Sequence, residues 1–202
     1  KLAEEYNMMD VSEWAQFEHT FRQPLPTTLR FSATSPYTDE IIRLFQEAFK
    51  EPEIIVDGKE ETLLKPLNWF PKNMAWYTSL ARRPLKRVPG LTNVHQALMA
   101  LEDIGVITRQ EAVSMIPPMF LDIQSHHVVL DMCAAPGSKT QQMIDTLCDT
   151  PNATPATGCI IANDVNRDRC YTLAHQTKRL SNDNCMIVNH EAQSLPQLRA
   201  FD

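Results

Sequence analysis

Between residues 126 and 189, short apolar runs alternate with longer amphipathic stretches: His126 to Met132, Lys139 to Cys148, Gly158 to Val165, Arg167 to Leu180, and Asn184 to Asn189. The first and third are nearly continuous in apolar residues, as in Val128-Val129-Leu130 and Cys159-Ile160-Ile161-Ala162. Parallel strands covered by helices on both faces need that pattern. It predicts β-α-β-α-β, an α/β arrangement forming the first half of a doubly wound, Rossmann-like sheet.

The first half of the chain is patterned differently. Asp10 to Arg22 predicts a helix, with Asp10 and Glu13 in capping-box spacing and Val11, Trp14, Phe17 and Phe21 on one face, expected in a core. Thr27 to Ser32 predicts a strand behind Pro24 and Pro26, and Thr38 is expected to cap a helix to Lys50 through Ile41, Ile42, Phe45, Ala48 and Phe49. Short strands are expected at Ile54 to Val56 and Trp76 to Ser79, with Asp57-Gly58 as a tight turn. Pro84, Pro89 and Gly90 mark a boundary near residue 88. This divides the chain into a small α+β domain, residues 1–88, and the start of the α/β domain, residues 89–202. A helix follows from about Asn93, with Val94, Ala97, Leu98, Leu101 and Ile104 on one face, ending at Gly105. Thr108 is then expected to cap a further turn running to Pro117-Pro118.

The chain stops at Phe201-Asp202, before any strand that would return to the other edge of the first parallel strand. A buried strand with an unpaired edge leaves backbone groups unsatisfied, so the chain is expected to be the front portion of a longer domain.

Charge and cysteine usage narrow the function classes. A net charge of −6 argues against a chain-wide grip on nucleic acid, so such a role falls to a local patch. Arg82, Arg83, Lys86 and Arg87 supply one, just after Trp69, Phe70, Trp76 and Tyr77. Bases stack on exposed aromatics while cations hold phosphates, so the cluster is a candidate RNA surface, although on the residues alone a solvated basic turn beside core aromatics is the favoured explanation. Five cysteines, with no CxxC pair, indicate neither a disulfide framework nor a metal site. No apolar run is long enough to span a bilayer, and the N-terminus lacks the layout of a secretory signal, so a soluble intracellular protein with no membrane partner is expected.

The candidate chemistry lies at Asp131-Met132-Cys133-Ala134-Ala135-Pro136-Gly137-Ser138-Lys139-Thr140, where the first parallel strand gives way to a helix. Small residues and one glycine let a ligand approach the backbone, and a helix N-terminus offers free N–H groups to a carboxylate. An amino-acid-bearing cofactor suits both features. Asp164, 27 residues beyond Gly137, closes the second strand, where a carboxylate can accept ribose hydroxyls or cap the next helix. Glu191 follows the third strand and could accept from an adenine amino group. GxGxxG and GxxxxGK[ST] are both absent, which disfavours nicotinamide, flavin and NTPase chemistry and leaves S-adenosylmethionine as the better ligand.

The Cys133-to-Lys139 stretch resembles the cofactor signature of Sun-type RNA 5-methylcytosine methyltransferases. Arg109 to Pro118 resembles the segment leading into that fold; Leu25 to Ser32 and Pro66 to Trp76 resemble the eukaryotic multisite tRNA methyltransferase branch. The resemblance covers nearly the whole chain. It implies a Rossmann-like methyltransferase fold, an S-adenosylmethionine site lined by Cys133, Ala134, Ala135, Pro136, Gly137, Ser138 and Lys139, ribose contact at Asp164 and adenine contact at Glu191. Family members usually carry Asp at the last position. The resemblance also implies tRNA or another structured RNA as partner, and a nuclear or nucleolar location.

Methylation at C5 of cytosine needs a thiolate nucleophile, and the family's functional cysteines follow proline. None of Cys133, Cys148, Cys159, Cys170 and Cys185 does, so no residue here is assigned a catalytic role and the chain alone is expected to be inactive. Two alternatives stand beside this reading: a non-catalytic RNA-binding or scaffold protein that kept the fold, and a methyltransferase acting on protein or a small metabolite.

Overall fold

The computed structural model describes residues 10–23, 25–50, 53–56, 58–79, 91–150, 154–196 and 201–202. The elements run α1 (Val11–Phe21), β1 (Thr27–Phe31), α2 (Thr38–Ala48), β2 (Glu53–Val56), β3 (Lys59–Thr62), β4 (Lys65–Pro66), a 3-10 turn at Pro71–Asn73, and β5 (Ala75–Thr78). They continue with α3 (Leu91–Asp103), β6 (Ile107–Arg109), α4 (Ala112–Met119), β7 (Val128–Asp131), α5 (Ser138–Cys148), β8 (Cys159–Asn163), α6 (Arg167–Lys178) and β9 (Cys185–Val188).

Three strands form the parallel sheet, ordered β7-β8-β9, with Val128 beside Cys159 and Ile160 beside Cys185. The alternation expected from residue 126 onward is present element for element. Ile144 and Leu147 of α5 pack on Ile160, and Leu173 of α6 packs on Ala162 with Ala134 and Ala135. Asp202 N donates to Val128 O, and Asp202 Oδ2 accepts from Val128 N, beside β7.

A second sheet is antiparallel, ordered β4-β5-β1-β6, and β2 pairs with β3 in a separate two-stranded antiparallel ribbon. Leu29 and Phe31 of β1 point into a core with Ile42, Trp76, Leu98 and Ile107, and Phe45 of α2 meets Phe31 and Trp76 edge to face. Alternation then sends Thr28, Arg30 and Ser32 to the opposite face, where they too are buried. That face docks on α5. Arg30 Nη1 pairs with Asp145, Ser32 Oγ donates to Asp145 Oδ1 at 2.6 Å, and Arg30 Nε donates to Gln110 Oε1 at 3.2 Å. Gln110 Nε2 donates onward to Gln142 Oε1 at 2.7 Å, and Gln142 Nε2 to Met115 O at 2.8 Å. The two sheets are therefore joined through a buried polar network, with Arg30 Nη2 its donor lacking a partner among the described residues.

Several expectations are corrected. β6 pairs with β1, and Leu98 of α3 belongs to the first core, so the first packing unit continues past residue 88 as far as Arg109. Thr108 is a buried residue of β6 and not a cap; Glu111 precedes α4, whose last turn contains Pro117 and Pro118. Tyr37 stands at the N-cap of α2, while Thr38 is buried and its hydroxyl donates to Ser32 O. The Asp10–Glu13 capping box forms, yet the aromatics of α1 are not core: Phe21 is 80% exposed, and Trp14, Phe17 and Phe21 stack on one another. Helical spacing gave the stripe, but no element covers it among the described residues.

Candidate functional site

The loop between β7 and α5 is held from three sides. Ala134 N donates to Asn163 O at 2.7 Å, Ala135 N donates to Asp164 Oδ2 at 3.1 Å, and Arg169, in the first turn of α6, donates to Ala135 O. Gly137 ends the loop at φ +114, a backbone region that side chains rarely adopt. A Cβ there would lie 2.7 Å from Leu173 Cδ1, so glycine allows close packing of the loop against α6.

Because Gly137 is the N-cap, no side chain caps α5, and its first N–H groups remain available. They open beside a cleft of about 520 Å³, within the size range of small-molecule sites. One wall is Asp131, Cys133 to Pro136, Ser138 and Lys139; the other is Thr27 and Thr28 of β1, Arg109, Gln110, Glu111 and Ser114. Thus both units contribute. Asp131 Oδ2 accepts from Thr140 Oγ1 at 2.7 Å, which aims a carboxylate at the helix start, and Lys139 Nζ donates to Ser114 Oγ at 2.9 Å across to α4. An uncapped helix N-terminus next to a carboxylate matches an amino-acid zwitterion, carboxylate to the N–H groups and ammonium to Asp131.

Six of the seven signature residues, Cys133, Ala134, Ala135, Pro136, Ser138 and Lys139, line the cleft; Gly137, Asp164 and Glu191 do not. Asp164 is 2% exposed, and its carboxylate accepts from Ala135 N and, through Oδ1, from Asn166 N at 3.0 Å, with Arg169 Nη1 3.5 Å away. It anchors the loop. The N-cap of α6 is Asn166, which accepts from Arg169 N, so the alternative role of Asp164 as that cap is not what the structure shows. Glu191 is exposed, just after β9. Arg82, Arg83, Lys86 and Arg87 lie outside the described residues. Of the aromatics expected beside them, Trp76 is core at 1% exposure, whereas Trp69 is 45% exposed.

Asp131 opens the candidate stretch in the sequence but receives no role there, and Asn163 is not among the candidate site residues. Asp131 was legible as the polar residue ending the first strand. Asn163 carried no signal beyond standing next to Asp164.

Cys133 is exposed at the cleft. Burial pushes the Cys185 thiol up to about 11, and burial also raises Cys148.

Residues 118–202 match the family model described as 16S rRNA methyltransferase RsmB/F. The multisite-specific tRNA:(cytosine-C(5))-methyltransferase of Saccharomyces cerevisiae is 38% identical over 192 residues, covering 93% of this chain and 27% of that protein. A Schizosaccharomyces pombe counterpart, trm4b, is 36% identical over 198 residues, covering 92% of this chain and 29% of its own length. The chain thus spans little more than a quarter of the length of these two curated relatives. Among solved structures, NSun6 from Pyrococcus horikoshii with SFG superposes with a TM-score of 0.61 at 17% identity, over 96% of this chain and 66% of that one. That likeness extends the fold to both units.

Proposed function

We propose, from the premise that this chain is a relative of the RsmB/F-type RNA (cytosine-5) methyltransferases, that it supplies the S-adenosylmethionine site and part of the RNA surface of an enzyme methylating C5 of cytosine in tRNA. The observation that carries the reading is the uncapped N-terminus of α5 opening beside Asp131 into a cleft lined by the signature loop. S-adenosylmethionine supplies an electrophilic methyl group. The chain's residues bind and orient it: Ser138 and Lys139 N–H groups toward its carboxylate, Asp131 toward its ammonium, Asp164 toward the ribose and Glu191 toward the adenine. Cys133 to Lys139 shape the loop around it. Asp164 reaches a ribose only in addition to its bonds to Ala135 and Asn166, which the several lone pairs of a carboxylate allow.

Nucleophilic attack on the base falls to thiols outside this chain. None of its five cysteines follows proline, and burial pushes the thiols of Cys148 and Cys185 up, which disfavours the thiolate. Arg82, Arg83, Lys86 and Arg87 contribute phosphate contacts, and the protein works in the nucleus or nucleolus. Two assays test the reading. The 202-residue chain should bind tRNA in a salt-dependent way, weakened by Arg82→Ala with Arg83→Ala; unchanged affinity removes the RNA assignment. It should also give no labelled methyl incorporation into tRNA by itself, and incorporation would return the nucleophile to one of its own cysteines.

A further inference from the structure

Asn163, the last residue of β8, has no exposed surface, and every hydrogen-bonding atom of its side chain facing a neighbouring loop is engaged. Nδ2 donates to Met132 O at 3.0 Å and to His190 O at 2.9 Å, while Oδ1 accepts from His190 N at 2.9 Å. Its own carbonyl accepts from Ala134 N at 2.7 Å. One residue thereby ties the loop leaving β7 and the loop leaving β9 to the tip of β8. Asn189 laces the same tips in the other direction, its Nδ2 donating to Asp164 O at 2.6 Å and Val165 O at 2.9 Å.

Only a primary amide presents two donors and an acceptor from one planar group. Aspartate has no donor when ionised, and glutamine is one methylene too long for the same three partners. Asn163 does not line the cleft, so it touches no ligand there. We propose that Asn163 is a positioning residue of the cofactor site, fixing the spacing between the Met132–Gly137 loop and the Glu191 tip so that both meet one adenosyl group. The inference rests on the reading that these tips hold S-adenosylmethionine.

Asn163→Asp tests it in the 202-residue chain, with S-adenosylhomocysteine as probe and calorimetry at a temperature where circular dichroism shows the variant folded. The ionised carboxylate faces two carbonyl oxygens and cannot donate to either; protonation returns one donor, and burial favours that neutral form. At about pH 8 the Kd should weaken by about tenfold or more, as for outer residues that orient a binding shell. It should recover as pH falls toward about 5, relative to wild type at each pH. A contribution to stability alone would leave the folded variant with wild-type Kd throughout, and that result overturns the proposal. Should Asn163→Asp not fold, Asn163→Ser keeps one hydroxyl donor and carries the test: a loss of about tenfold supports positioning, and wild-type affinity overturns it. Absence of binding by the wild-type chain refutes the cofactor reading instead, a result distinct from equal binding by wild type and variant.

Discussion

The backbone N–H of Ala135 donates to Oδ2 of Asp164 across 3.1 Å, so the strand-end carboxylate and the signature loop form one unit. Asp164→Ala leaves the N–H groups of Ala135 and Asn166 without their acceptor. The expected cost is about 1–3 kcal/mol of stability, read by urea unfolding. Asp164→Asn retains one acceptor oxygen and should lose less. Equal stability of wild type and Asp164→Ala would show that the loop is held by Ala134 and Arg169 alone.

The same bond shows what was legible in sequence. The loop, Asp164 and the β-α-β-α-β order were readable because each strand is a compact apolar run ended by polar residues. Strand β3 was missed because Lys59 to Thr62 carries no apolar alternation, and β4 and β6 because two or three residues hold no period. Arg30 with Asp145, 115 residues apart, and the bracing role of Asn163 depend on pairing between distant elements. No local pattern encodes them.

Arg30 and Asp145 form a buried ion pair between the two units, each at most 4% exposed. Asp145→Ala strands the guanidinium and should cost about 3–5 kcal/mol, whereas Arg30→Met with Asp145→Leu should fall close to wild type. Denaturant unfolding of the three proteins checks this. A double variant as unstable as the single would mean that Ser32 and Gln110, each deprived of one hydrogen-bond partner, contribute the larger share.

At Gly137 both φ and space exclude a side chain. Gly137→Ala should destabilise by about 1–3 kcal/mol, and adding Leu173→Ala should relieve only the clash, at the expense of a cavity. Thermal melts of the single and double variants give the comparison. A Gly137→Ala protein melting with wild type would contradict the geometry.

The thiols should differ in reactivity. At about pH 8, roughly a thousandth of Cys185 is thiolate, because burial pushes its thiol up to about 11. Cys133 is exposed and should be alkylated first by iodoacetamide, as read by peptide mass spectrometry. Since the Cys185 thiol ionises at higher pH in the folded state, its contribution to stability is full below the ordinary thiol range. That contribution declines as pH rises from about 9 toward 11. Flat stability across that window in wild type, compared with Cys185→Ala, would contradict the assignment.

Titration of S-adenosylhomocysteine into the 202-residue chain, followed by calorimetry and by alkylation of Cys133, is the most direct measurement. The expected result is saturable binding at a single site, with Cys133 shielded as the ligand fills the cleft beside Asp131. No heat and no shielding at about 1 mM ligand, a concentration corresponding to binding of only about 4 kcal/mol, would contradict the assignment of this cleft.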